Sequence, residues 1–209
     1  MSESAKTFLL QSDPILADII RTLPEPVFES SGNVFMDLMS CVIEQQIHYR
    51  STKKFFQKLL EKAGLTELTP SNFPEFEKKA LVGIKISTGK FETILRILDF
   101  WSNHTIDWQT LSDEQVFEKL STIKGVGRWT IEMILLFTLG RPDVFPSDDY
   151  HLKIAMTKLY GLNPNTALNA QMMEVAERWS GHRSLAVKHV LAWKKGKGDL
   201  NSFDKNRMF

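Results

Sequence analysis

Apolar residues recur at three- and four-residue spacing along almost the whole chain, and nowhere at a sustained spacing of two. That period belongs to helices that bury one face, and its persistence leaves little room for a sheet. Phe35, Leu38, Met39 and Val42 form one such stripe; Phe55, Phe56, Leu59 and Leu60 form the next, with Gly64 as a stop signal. Phe91, Ile94, Leu95, Leu98 and Phe100-Trp101 define a third face. Ser112 followed by Gln115 predicts a capping box that opens a helix with Val116, Phe117 and Leu120 inward. Trp129 to Leu139 is apolar nearly all round, the pattern of a central buried helix. Three further stripes follow: Leu152, Ala155, Met156 and Leu159 before Gly161; Leu168, Met172, Val175, Ala176 and Trp179; and Leu185, Ala186, His189, Val190 and Trp193. The expected fold class is all-α. Pro24, Pro26 and Ser30-Ser31-Gly32 set off an N-terminal arm (1–28) from a main domain (29–193), and a polar tail is expected over 194–209.

The totals exclude more than they identify. At 209 residues the chain has room for one domain or two small lobes. With 26 Lys plus Arg against 25 Asp plus Glu, net charge does not point to a partner, though a local patch can still hold phosphate. Cys41 is the only cysteine, which rules out an intramolecular disulfide, a four-thiolate zinc site and a cysteine-ligated iron–sulfur cluster. The start lacks the charged-then-apolar pattern of a secretory signal, and Ile131–Leu139 is too short for a membrane span. A cytoplasmic protein with no membrane partner is expected, nucleoid-associated if the source is bacterial. His48, His104, His151, His182 and His189 are scattered without metal-ligand spacing.

One segment carries a chemical signal. Between Leu120 and Thr130, two helical patterns are joined through Gly125-Val126-Gly127, flanked by Lys124 and Arg128. Glycines permit a tight turn and close approach of another backbone, and the turn empties into a helix N-terminus that favours an anion. Phosphate is the natural ligand, although an ordinary packing turn would look similar. Further on, Ser147-Asp148-Asp149 marks a helix start. Serine and aspartate cap helices for structural reasons alone, so the local sequence leaves capping and catalysis both open.

The longer pattern narrows these readings. Leu120–Thr130 resembles the helix-hairpin-helix turn of the HhH-GPD superfamily of DNA base-excision glycosylases, in which a Gly/Pro-rich segment and an essential aspartate follow the hairpin. Here Gly140-Arg141-Pro142 and Asp149 occupy those places, one helix, a turn and a short loop further on. The resemblance is closest to the 3-methyladenine DNA glycosylase II (AlkA-like, alkylpurine) branch in a short form. It extends over Asp13-Pro14-Ile15-Leu16, Ile43-Glu44-Gln45-Gln46-Ile47, Gly83–Lys90, Ala176–Trp179 and Arg183-Ser184.

The resemblance implies two helical lobes with a cleft between them, and a hairpin over about 112–139. It implies that Lys124, Gly125, Val126, Gly127, Arg128 and Thr130 grip DNA, that Asp149 is catalytic with Ser147 or Asp148 as the cap, and that Gln45, Gln46 and His48 form a wedge loop. Trp129, Met133, Leu191 and Trp193 are the implied base-pocket residues. By this resemblance Met133 and Leu191 stand where the best-known bacterial member has pocket aromatics, and Gly181 where a proline is usual. Superfamily enzymes that attack the sugar through an amine carry lysine where this chain has Trp129, so hydrolysis by water is implied. Carbonyls of Ser121, Ile123 and Val126 match a monovalent-cation site (Na+ or K+). No cofactor is required, and the partner is damaged duplex DNA bound by a monomer. Two other readings stay open: a glycosylase for deaminated or oxidised bases, and a non-catalytic hairpin module that only binds DNA.

Overall fold

The computed structural model describes residues 3–28, 30–44 and 52–197, and every regular element among them is helical. In chain order the α-helices are α1 (Glu3–Ser12), α2 (Pro14–Thr22), α3 (Val34–Glu44), α4 (Thr52–Ala63), α5 (Phe73–Phe76), α6 (Thr88–Asn103), α7 (Asp113–Ser121), α8 (Arg128–Met133), α9 (Tyr150–Tyr160), α10 (Leu168–Glu177) and α11 (Arg183–Lys197), with a π-helical turn at Glu77–Leu81 directly after α5. The all-α expectation holds. No helix among the described residues is long and apolar enough to cross a membrane. The helix expected over Trp129–Leu139 is present, but it widens into a π-helical turn at Ile134–Thr138. Likewise α11 runs on to Lys197, past the point where the polar tail was expected to begin.

The chain divides into two compact units, residues 1–28 with 141–209, and residues 29–140. In the first, α11 packs on α9 and α2, and α1 lies against α2. Leu16, Leu152, Met156, Met172, Trp179, Val187 and Val190 are fully buried there. Each such side chain contributes about 1.5–3 kcal/mol through removal from water.

Asp13 ties this unit together from a fully buried position. Its Oδ1 accepts the N–H groups of Ile15 and Leu16 at 3.0 Å, capping α2 ahead of Pro14. Its Oδ2 accepts Tyr160 Oη–H and Trp179 Nε1–H, both at 2.9 Å. One carboxylate therefore joins α2, the end of α9 and the turn after α10, with four donors offsetting the cost of its burial. Burial, then the Asp13 charge and hydrogen bond, push the Tyr160 phenol far up, so it serves as a fixed donor.

His189 on α11 is also buried, 3% exposed, and its Nδ1 has no hydrogen-bond partner. Burial lowers its pKa to about 4; the charge of Glu25 works against that shift and that of Lys6 with it. The imidazole is thus neutral in the folded protein at any pH where the unfolded chain begins to bind the proton. Stability from this group is fully present above about pH 6.5 and falls as pH drops towards 4. Between pH 7 and pH 4.5 the wild type should lose roughly 2–3 kcal/mol more than a His189→Leu variant, measured by urea unfolding at the two pH values.

In the second unit α3 packs on α4, α6 and the π turn, while α7 packs on α8. Phe35, Leu38, Met39, Leu60, Phe76, Ile94, Ile97, Leu120, Ile131 and Leu136 make its core. The inward face of α6 differs from the sequence expectation. Thr93 is buried beside Ile94 and Ile97, while Leu95 is 47% exposed. The helix turns Thr93 inward because its hydroxyl is satisfied by the Gly89 carbonyl, 2.9 Å away. Buried Asp37 accepts hydrogen bonds from Thr138 (2.7 Å) and Ser30 (2.8 Å) hydroxyls on one oxygen and from Ser31 Oγ (2.9 Å) on the other. These bonds tie the π turn and the Ser30-Ser31 corner to α3.

Candidate active site

The hairpin starts from α7, whose capping box is present as expected: Gln115 N–H donates to Ser112 Oγ (3.2 Å) and Ser112 N–H to Gln115 Oε1 (2.9 Å). After α7 the chain reverses through two tight bonds, Ile123 N–H to Leu120 O (3.2 Å) and Val126 N–H to Ile123 O (2.9 Å). Ile123 and Val126 are buried and anchor the turn, leaving Lys124, Gly125, Gly127 and Arg128 exposed.

The two glycines do different work. Gly125 has φ of +103°, and a Cβ there would lie 2.1 Å from Thr93 Oγ1 and 2.9 Å from Thr93 Cγ2. Its backbone is pressed onto α6. Gly127 has ordinary φ, −91°, and serves as N-cap of α8 without a side chain; a Cβ there would meet open space. The first-turn amides of α8 thus lack a side-chain cap and sit behind an open approach, which suits an anion.

Around the turn, Arg96 Nη1 donates to the Lys124 carbonyl at 3.4 Å. Arg128 is held by Glu132 (Nε to Oε1, 2.8 Å) with its guanidinium 5.8 Å above the Phe117 ring. The Thr130 side chain is buried, so a role in gripping a ligand falls to its backbone.

Asp149 is reached through a loop whose path is fixed from α11. Arg183 N–H donates to Asp143 Oδ1 (3.1 Å) and Arg183 Nη1 to Asp143 Oδ2 (2.9 Å). Ser184 Oγ accepts Val144 N–H at 2.8 Å, and Ser184 N–H donates to Pro142 O at 3.1 Å. The Arg183-Ser184 pair is therefore the clamp on the segment that delivers Asp149. Just before it, Gly181 has φ of +82°, a left-handed conformation closed to proline.

Asp149 itself is 4% exposed, and its Oδ1 accepts Leu152 N–H at 2.7 Å. It is the N-cap of α9, which corrects the expectation that Ser147 or Asp148 fills that place. Asp148 is instead an exposed partner of Lys153 (3.1 Å) and Asn169 (3.0 Å). Chain direction explains the shift: Asp149 N–H closes a turn onto Pro146 O (3.0 Å), so helical geometry starts only at Tyr150. The cap bond and the α9 dipole both complement a carboxylate anion held in one orientation. Capping and catalysis, posed as alternatives by the sequence, are compatible at this residue.

The other expected pocket residues fall on both units. Trp129, half-buried, and Met133, 5% exposed, lie one turn apart on α8 in the second unit. Leu191, 6% exposed, and Trp193, half-buried, lie on α11 in the unit that holds Asp149. Residues two apart on a helix point to nearly opposite sides, so Leu191 and Trp193 cannot both face one wall. Gln45, Gln46 and His48 of the expected wedge lie outside the described residues. The last described residue of α3, Glu44, is a fully buried carboxylate that accepts Phe56 N–H at 2.5 Å. In sequence Glu44 stands out only as a charge within the apolar stripe of α3.

No family model matches the chain. The fold is that of the helix-hairpin-helix DNA glycosylases. It is similar to the 3-methyladenine DNA glycosylase of Schizosaccharomyces pombe solved in complex with abasic DNA, with TM-score 0.78 and 23% identity over 92% of this chain and 97% of that one. It is also similar to the DNA-3-methyladenine glycosidase of Bacillus halodurans, with TM-score 0.72 and 25% identity over 96% and 92% of the two chains. In sequence the chain is 26% identical over 168 residues to DNA-3-methyladenine glycosylase 1 of S. pombe, spanning 78% of this chain and 72% of that protein. The resemblance to alkylpurine DNA glycosylases carried by the motifs is thus matched by sequence relatives and by fold.

Proposed function

We propose that this protein is a monofunctional DNA glycosylase that hydrolyses the N-glycosidic bond of alkylated purines in duplex DNA, initiating base excision repair. The observation that carries the proposal is the buried Asp149 carboxylate, oriented by its cap bond at the start of α9 in a fold shared with DNA glycosylases. As the base departs, positive charge grows on the sugar, and a fixed carboxylate stabilises it electrostatically. The same group orients or deprotonates the water that completes hydrolysis. Comparable sugar chemistry in glycoside hydrolases also depends on carboxylates.

The target base must leave the stack to be reached. In this reading Gln45, Gln46 and His48 fill the gap it leaves, and the backbone at Gly125–Gly127, with Lys124 and Arg128, holds phosphate without reading sequence. The indole of Trp129 offers an electron-rich face to a cationic alkylated purine. Met133, Leu191 and Trp193 are the remaining candidates for contact with the base. Carbonyls of Ser121, Ile123 and Val126 suit Na+ or K+ by donor type. That of Ile123, which accepts Val126 N–H, keeps a second lone pair for a cation. The proposed partner is damaged duplex DNA bound by a monomer.

Trp129 has no nucleophilic amine, so the phosphodiester backbone should survive the reaction. A panel of duplexes carrying single methylated, deaminated or oxidised bases tests both lesion and chemistry. Free methylated purine should appear, with strand breakage only after heat or alkali, and borohydride should trap no covalent complex. Breakage without such treatment, or trapping, would contradict the hydrolytic route; release of only deaminated or oxidised bases would replace the alkylpurine reading.

A further inference from the structure

Asp13, a fully buried carboxylate with no part in the proposed hydrolysis, is linked to Asp149 through side chains of its own unit. Its Oδ1 is occupied by the two amides that cap α2, so the carboxylate cannot turn without breaking that cap. Its Oδ2 accepts Trp179 Nε1–H at 2.9 Å. An indole has one donor fixed in the ring plane, so this bond sets the orientation of the whole ring. Trp179 is itself fully buried, and its ring meets that of Phe145 edge-on, with centroids 6.1 Å apart. From Phe145 two short backbone bonds run on to Asp149: Phe145 O accepts Ser147 N–H (2.9 Å), and Pro146 O accepts Asp149 N–H (3.0 Å).

Stability alone does not call for a charge at this place. Apolar residues of similar volume often stabilise a core as well as a buried ionic group does, whereas a fully satisfied polar network fixes one arrangement of its members. Arrangement matters at Asp149, because a misplacement of about 1 Å at a reacting group can cost about 10²-fold in rate. We propose that Asp13 is a positioning residue for Asp149, acting through the indole of Trp179 on the Phe145 segment. The proposal rests on the glycosylase reading of Asp149. It gives the N-terminal arm a part in the chemistry, although Asp13 acts only through other side chains.

The test uses the full chain and the methylated duplex from which wild type releases base fastest. Single-turnover excision is followed at increasing enzyme excess, with each variant shown by its melt to be folded at the assay temperature. Asparagine has one oxygen where aspartate has two, so Asp13→Asn keeps the α2 cap and turns an amide, a donor, towards Trp179. Trp179→Phe keeps a ring and loses the N–H. Each should lower the maximal rate about ten- to a hundred-fold while the half-saturating enzyme concentration stays unchanged. The double variant should be no slower than the slower single one, because both changes remove the same bond. Tyr160→Phe removes the other donor to Oδ2, 2.9 Å away, and leaves the indole bond in place. It should lower the melting temperature and keep the wild-type rate.

Maximal rates close to wild type in Asp13→Asn and Trp179→Phe would overturn the assignment. So would additive losses in the double variant, or a Tyr160→Phe variant slowed as much as the others, since either points to a general loss of packing. Where one of the two single variants does not fold, the other carries the test against Tyr160→Phe. A wild type that releases no base, or an Asp149→Asn variant that excises at a rate close to wild type, would instead remove the glycosylase reading on which the proposal stands.

Discussion

Replacing Asp149 by asparagine should reduce base release by at least ~10³-fold while leaving the fold and DNA binding in place. The size follows from the two roles the carboxylate combines. Removing a fixed group that stabilises transition-state charge costs about 10²–10³ in rate, and loss of a general base about 10²–10⁴. Asparagine is also the informative choice structurally. Its side-chain carbonyl can still accept Leu152 N–H, the bond that caps α9 at 2.7 Å, and asparagine ranks with aspartate as an N-cap. Melting temperature should therefore change by no more than a few degrees. Asp149→Ala would lose the cap as well, at about 1 kcal/mol, and so blur the two effects. Single-turnover excision with enzyme in excess, alongside a thermal melt, separates them. An Asn variant that excises at a rate close to wild type would show that the residue is a cap and nothing more.

Gly125→Ala should be the most damaging single change in the hairpin. A methyl group there meets Thr93 Oγ1 at 2.1 Å and Cγ2 at 2.9 Å, and the residue must also hold φ of +103°. Backbone strain and overpacking each cost of order 1–3 kcal/mol, so about 2–4 kcal/mol of stability should be lost, together with most DNA affinity. Thr93→Ala separates the two contributions because it removes Oγ1 and Cγ2. In that background Gly125→Ala should be milder by about 1–2 kcal/mol, leaving the conformational part. Equal cost in both backgrounds, measured by urea unfolding, would mean that contact with Thr93 does not explain the glycine. Gly127→Ala provides the contrast. Its Cβ has room and its φ is ordinary, so the fold should tolerate it.

The helical class and the order of the helices were legible because burial imposes the 3.6-residue period on each stripe, as at Phe35, Leu38, Met39 and Val42. Caps written within four residues were legible too, and the Ser112–Gln115 box is where its spacing puts it. What local sequence hid were features made by distant partners. Thr93 faces inward on α6, where the backbone of Gly125, more than thirty positions later, packs against it, and no period announces that contact. Asp13 looks like an ordinary cap before Pro14, and only Tyr160 and Trp179 reveal it as the junction of three elements. The same limit applies around Asp149. Its motif was visible, but which of two adjacent aspartates caps α9 depends on where the turn from Pro146 closes. Lys194 belonged to a polar run without periodicity, and its contact with His151 depends on how α11 packs on α9.

The central claim is that a water molecule, guided by Asp149, displaces an alkylated purine from the sugar. Mass spectrometry of the small molecules released from methylated duplex DNA tests it most directly, because free base, base attached to sugar and cut strand have different masses. The expected spectrum contains free 3-methyladenine or 7-methylguanine, accumulating with wild type and absent with Asp149→Asn, while the strand keeps its full length less one base. No free base from any methylated duplex, under conditions where the protein binds that DNA, would contradict the account.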